Sequence, residues 1–151
     1  MHLVATTFAA LNGKNIFFIF GGRDIANERI SSDLIAIDVD KLEWWVVHID
    51  GGPIAPRRAA DMTVIGNKLY IFGGDNEDDD NLLESFSIAE YCDKTDRWTW
   101  VVRDEPYPDH VPYLGYQSSI ATVYGGKKIL LMPGRDDGDE ASSFSYNTSQ
   151  L

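Results

Sequence analysis

One phrase recurs along this chain, and its recurrence constrains the fold more than any single residue does. The phrase is a strand ending in a diglycine, an alternating strand running into a turn, then a strand led by tryptophan. It reads first as Ile16-Phe17-Phe18-Ile19-Phe20-Gly21-Gly22, Asp33-Leu34-Ile35-Ala36-Ile37-Asp38 and Trp44-Trp45-Val46-Val47. It returns as Lys68-Leu69-Tyr70-Ile71-Phe72-Gly73-Gly74, Phe86-Ser87-Ile88 and Trp98-Thr99-Trp100-Val101-Val102. A third passage opens with Lys128-Ile129-Leu130-Leu131-Met132-Pro133-Gly134 and reaches Phe144-Ser145-Tyr146-Asn147. Gly22 and Gly74 lie 52 residues apart, and Gly74 and Gly134 lie 60 apart. A period near 50 residues marks a repeat architecture, in which each unit buries its apolar surface only by stacking on a neighbour.

Within each repeat the apolar residues alternate, or form short β-branched and aromatic runs bounded by Gly, Pro, Asn or Asp. No stretch sustains apolar residues at i, i+3, i+4 and i+7 with caps. The chain is therefore expected to be all-β, with four short antiparallel strands per repeat. In the second repeat these are residues 61–65, 68–72, 85–91 and 97–102, with turns at Gly66-Asn67 and Asp93-Lys94-Thr95-Asp96. The first hairpin turn is expected over residues 12–15, and the third over residues 124–127. Pro106, Pro108 and Pro112 oppose regular pairing, so residues 104–113 are expected as a loop between units.

The order Gly-Gly, Asp33 to Asp38, Trp44, then Pro56-Arg57 resembles the kelch repeat. Gly73-Gly74 and Trp98 repeat it with a turn one residue shorter, and the third copy replaces its first glycine with Pro133. Ala59-Ala60 stand where the family usually carries a Gly-His or similar pair. The resemblance covers essentially the whole chain. It implies a kelch-type β-propeller fragment of about three antiparallel four-stranded blades, at about 3–55, 56–106 and 113–151, the last incomplete. Gly21, Gly22, Gly73, Gly74 and Gly134 would then let the chain leave its strands, and Trp44 and Trp98 would wedge between blades. A closed propeller needs about 4–8 blades. The expectation is a piece of a larger propeller, or else self-association through exposed blade faces.

The resemblance also implies a protein-interaction module without catalytic activity of its own, binding a partner through loops on one propeller face. The positions just after each diglycine are the candidates: Arg23, Asp24, Asp75, Asn76, Arg135 and Asp136. An arginine there can fork a carboxylate or phosphate, and the competing reading is a solvated turn with local ion pairs. The alternative function is a fragment of a propeller enzyme, a galactose-oxidase-like oxidase or a hydrolase, with catalytic residues outside this chain. Such an oxidase needs a crosslinked Cys–Tyr pair, a second Tyr and two His. Cys92 beside Tyr91 lacks that set and is read as a small buried residue.

No metal site or cofactor is expected. The acid run from Asp75 lacks a glycine at its sixth position and has Phe86 where a calcium loop needs its bidentate Glu. The second run, Asp136-Asp137-Gly138-Asp139-Glu140, does not fit such a loop either. His2, His48 and His110 have no ligand spacing. The net charge of −11 opposes binding to nucleic acid or an anionic membrane, and no apolar run approaches the ~18 residues of a membrane span. A protein partner is expected instead. The single cysteine forbids an intrachain disulfide and fits a reducing compartment, cytoplasmic or nuclear. Residues 1–11 lack a basic leader segment and are read as a strand. Asn147-Thr148-Ser149 matches a glycosylation acceptor by pattern alone.

Overall fold

The structure is a computed structural model that describes residues 4–76, 84–108, 119–123, 125, 127–132 and 144–147. Strands β1 (Ala5–Leu11) and β2 (Lys14–Phe20) form a hairpin, and a small hairpin of β3 (Arg23–Asp24) and β4 (Arg29–Ile30) follows. Next come β5 (Leu34–Asp38), β6 (Glu43–Val46) and β7 (Ile49–Asp50). The second repeat contributes β8 (Asp61–Ile65), β9 (Lys68–Phe72), β10 (Ser85–Cys92) and β11 (Arg97–Pro106). The third contributes β12 (Ser119–Val123), β13 (Lys128–Met132) and β14 (Phe144–Asn147). Sheet one has the order β1-β2-β5-β6, sheet two β7-β11-β10-β9-β8, and sheet three β12-β13-β14. Strands β1, β8 and β12 lie side by side, so they form the inner edge of the three sheets.

Local chemistry fixes each hairpin. Asn12 and Gly13 both take positive φ, 48° and 71°, as a tight hairpin turn requires. Asp38, which closes β5, is buried and its Oδ1 accepts the backbone N–H groups of Asp40 and Lys41 at 3.1 Å. That side chain pins the turn into β6, which is why an acid ends the alternating strand.

The sheets depart from the sequence expectation in three places. Sheet two has a fifth strand, because β7 pairs in parallel with β11 at Trp98 and Thr99. Strand β11 runs on to Pro106, paired with Ser85, and register shifts near Ile88 absorb the irregularity. Pro106 sits at the end of that strand, where its missing N–H costs no internal ladder bond. Finally, β10 ends at Cys92, one residue beyond the expected 85–91, and the residue that matches Trp44 across the sheets is Trp100 rather than Trp98. The pairs are Ile37 with Trp44 and Ala89 with Trp100.

Two apolar layers hold the sheets together. Phe18, Phe20, Leu34 and Ala36 of sheet one pack against Met62, Leu69, Ile71, Ala89, Tyr91 and Trp98 of sheet two. Phe18 meets Trp98 edge-on, with ring centroids 5.7 Å apart at 82°. The opposite face of sheet two, with Tyr70, Phe72, Phe86 and Ile88, packs on Ile129 and Leu131 of sheet three. Successive side chains of β9 therefore enter different layers, which explains a strand apolar on both faces. Trp98 is only 7% exposed, as a wedge should be. Trp44 is 69% exposed, so it does not pack between blades here: no described element lies against the outer face of sheet one. Cys92 is exposed, not buried, because it is the last residue before the turn. Its thiol is lowered by a hydrogen bond from Thr95.

Tyr91 gives a pH test. The hydrogen bond to Asp96 is the main reason its hydroxyl titrates above the ordinary tyrosine value, and burial adds to it. Burial also raises Tyr70. A folded-state value above the unfolded one near 10 means stability that is full below pH ~10 and lost as pH rises through the folded value. Urea midpoints should fall between pH 9 and 11, and the fall should be shallower in Tyr91→Phe. An unchanged slope in that variant would remove the assignment.

Candidate functional site

Both described diglycines are locked to the link that joins sheet one to sheet two. Gly21 N–H donates to Asp33 O at 3.0 Å, and Gly22 N–H donates to Arg57 O at 2.9 Å. Gly21 takes φ +66°, and a Cβ built on it would lie 2.2 Å from Arg57 O. Gly74 takes φ +94°, with Arg58 O only 2.8 Å from the same hypothetical atom. The glycines are therefore needed for close backbone approach as well as for positive φ.

Arg57 is fully buried at this junction. Its guanidinium donates to Gly73 O at 2.8 Å and pairs with Asp104 Oδ1. Asp104 Oδ2 accepts Ala55 N–H at 3.0 Å, and its Oδ1 accepts Ser87 Oγ at 3.1 Å. One charged pair thus ties the link to β9, β10 and β11. Burial lowers the Arg57 value, and the Asp104 charge opposes that shift. The sequence showed Pro56-Arg57 as a motif but gave no sign that Asp104, 47 positions on, is its partner. A register shift places Asp104 there, and register is not written in local pattern.

From this anchor the first diglycine launches the β3–β4 hairpin. Asp24 is exposed and spends its carboxylate on its own turn, accepting Ala26 N–H at 2.9 Å and Asn27 Nδ2 at 2.6 Å. The Asn27 bond chiefly, then the Ala26 bond, hold Asp24 below its usual value. Arg23 is half-buried at the base. Ile25 stands at the tip, 59% exposed, although the sequence reading passed over it. A large β-branched apolar residue in a short turn segment, Asp24-Ile25-Ala26-Asn27, was the available signal. Beside the hairpin a groove of about 630 Å³ is lined by Gly22, Asp24, Asn27, Arg29, Ser31 and Pro56.

The second diglycine leads to a different arrangement. Asp75 is buried, and its Oδ2 is held by Arg58 Nε at 3.1 Å and Nη2 at 2.9 Å. The two backbones also exchange hydrogen bonds of 2.8 and 2.9 Å. Asp75 therefore turns its carboxylate toward the link, while Asn76 next to it is half-buried. Arg23, Asp24, Asp75 and Asn76 all follow diglycines at the same end of adjacent sheets. Gly134, Arg135 and Asp136 lie outside the described residues. Among the described residues, no group of three His, Cys, Asp or Glu could hold a metal ion. Among them, too, no helix is long and apolar enough to cross a membrane.

The family model for the KLHDC2/KLHL20/DRC7 Kelch-repeats domain matches residues 4–150. Rat Kelch domain-containing protein 3 is 28% identical over 127 residues, covering 81% of this chain and 32% of its own length. The Dictyostelium discoideum Rho GTPase-activating protein gacHH is 35% identical over 135 residues, covering 82% of this chain and 8% of its own. Human host cell factor 1 is 38% identical over 63 residues, covering 42% of this chain and 3% of its own. The chain thus spans about a third, or much less, of the length of these relatives. Glycine exits clamped by the following link, stacked all-β sheets with a tryptophan wedge, and a match from residue 4 to residue 150 make this chain a member of the kelch-repeat family.

Proposed function

We propose that this chain is a protein-interaction module without catalytic activity of its own, and that it engages a protein partner through the loops that follow its diglycines. Kelch-repeat domains are typically such modules. The observation that carries the reading is the β3–β4 hairpin. It is anchored at Gly21 and Gly22, stiffened by Asp24, and presents Ile25 between Arg23 and Arg29. A pre-ordered loop with an apolar tip and flanking arginines loses little freedom on binding, which favours affinity per contact. Arg23, Asp24 and Asn76 supply the polar rim of this surface, with Asp75 as support for Asn76. Arg135 and Asp136 extend it if the third repeat follows the same plan.

The test is affinity capture from a cell extract with the chain and with an Arg23→Ala, Ile25→Ser double variant. A partner held through the hairpin should fall by ~10-fold or more, the cost of removing one or two hot-spot residues. Lys14→Ala, at the opposite end of the strands, should leave it unchanged. Equal capture by both variants would reject the hairpin as the contact surface.

A further inference from the structure

A groove of about 520 Å³ lies between sheets one and two, at the end of the strands away from the diglycines. That volume is within the range of sites that hold a small ligand or a long side chain. Both walls belong to described residues of adjacent repeats. Phe18, Ala36 and Trp45 stand side by side on the wall of sheet one, and Tyr91 pairs with Trp98 on the wall of sheet two. Trp45 is 41% exposed, so part of its ring faces open space. Beside this aromatic row, Asp38 and Glu43 lie directly opposite each other on β5 and β6, on the same face as Trp45. Like charges directly opposite are destabilising. Asp38 is only 5% exposed, and its Oδ1 serves the turn, whereas its Oδ2 accepts no hydrogen bond from the described residues. Among those residues neither carboxylate has a cationic partner, although the exposed Lys14 and Lys41 also line the groove.

The second repeat keeps these strands but not this chemistry. Glu90 takes the place of Asp38, with Lys68 directly opposite, and its Oε1 accepts Asn67 Nδ2 at 3.1 Å. Thr99 stands where the first repeat has Glu43, and Val102 where it has Trp45. A repeat therefore folds without an open carboxylate pair or an exposed indole at these positions. In the first repeat they serve something other than the scaffold.

We propose that this groove receives an arginine side chain from a protein partner, its guanidinium stacked on Trp45 and forked between Asp38 Oδ2 and Glu43. A planar guanidinium can lie on an indole ring and donate to two carboxylates at once, which a compact ammonium does less well. A calcium ion would need six or more oxygen ligands, and two carboxylates beside a ring do not supply them. The net charge of −11 draws a basic segment toward the chain. The groove and the β3–β4 hairpin share no residue, so this proposal stands independently of the hairpin contact.

The probe is N-acetyl-arginine amide, titrated into the chain while the indole N–H resonances are followed by NMR. The Trp45 resonance, assigned with Trp45→Phe, should move saturably. N-acetyl-citrulline amide, of the same shape without the charge, should not move it, and N-acetyl-lysine amide should bind more weakly. Glu43→Gln should weaken arginine binding ~5-fold or more through loss of a charge-assisted hydrogen bond. Glu90→Gln, in the second repeat, should leave it unchanged. Glu43 is exposed, so far-ultraviolet circular dichroism of its variant should match the wild type. Should that variant fail to fold, Asp38→Asn, which keeps an acceptor for the turn, carries the same test. No saturable shift, an equal response to citrulline or lysine, or unchanged affinity in Glu43→Gln would each overturn the proposal. Tighter binding of free arginine than of the blocked form would overturn it too, by marking a site for the amino acid instead of a protein segment.

Discussion

Arg57→Ala is expected to destabilise the chain by about 3–5 kcal/mol, the usual cost of leaving half of a buried ion pair alone. The guanidinium is fully enclosed and serves Gly73 O, Ser85 and Asp104, so its removal orphans a backbone carbonyl as well as a carboxylate. With a urea slope of about 1–3 kcal/mol per molar, the midpoint should fall by roughly 1 M or more. Arg57→Lys should recover only part, because a lysine cannot reach several acceptors in one plane. Asp104→Asn should cost less than Arg57→Ala, since that carboxylate keeps some contact with water (31% of its side chain is exposed). A loss below about 1 kcal/mol for Arg57→Ala would show that water enters and satisfies the site.

Gly21→Ala carries the second large effect, about 2–4 kcal/mol, from two sources: a left-handed φ and a methyl group driven into Arg57 O. The obstacle is main chain rather than a flexible side-chain tip, so the 56–58 link must move. Gly13→Ala is the control. It has a similar φ, +71°, and open space around it, so it isolates the backbone strain at about 1–2 kcal/mol. Equal losses in thermal or urea unfolding for the two variants would mean that the close approach costs nothing. Both Arg57→Ala and Gly21→Ala disturb the same link, so their effects should fall short of additivity in a double-mutant cycle.

Much of the fold could be read from the chain because the hairpins are local devices. Asn12-Gly13, Gly66-Asn67 and the Asp93–Asp96 turn each join strands by their own backbone preferences, and alternation sets which residues face a neighbour. The candidate site was legible only in part. The sequence pointed to the positions after the diglycines, but not to what each side chain does there. Asp24 and Asp75 look alike on paper. In the fold one carboxylate braces its own hairpin and the other is taken by Arg58, because a link from a distant part of the chain passes beside only the second.

The tryptophans mark the boundary most clearly. The hairpin turns and the glycine exits follow from residues within about ten positions of one another, and the sequence alone determines them. Whether a tryptophan is a wedge or an exposed surface does not follow. Trp98 is buried because sheet one lies against its face, while Trp44, in the same phrase, faces no described sheet. Burial is a property of what comes to lie opposite, and that is set by the stacking of whole sheets. The partnership of Arg57 with Asp104 has the same origin: two residues far apart in the chain meet only when β11 has taken its register against β10.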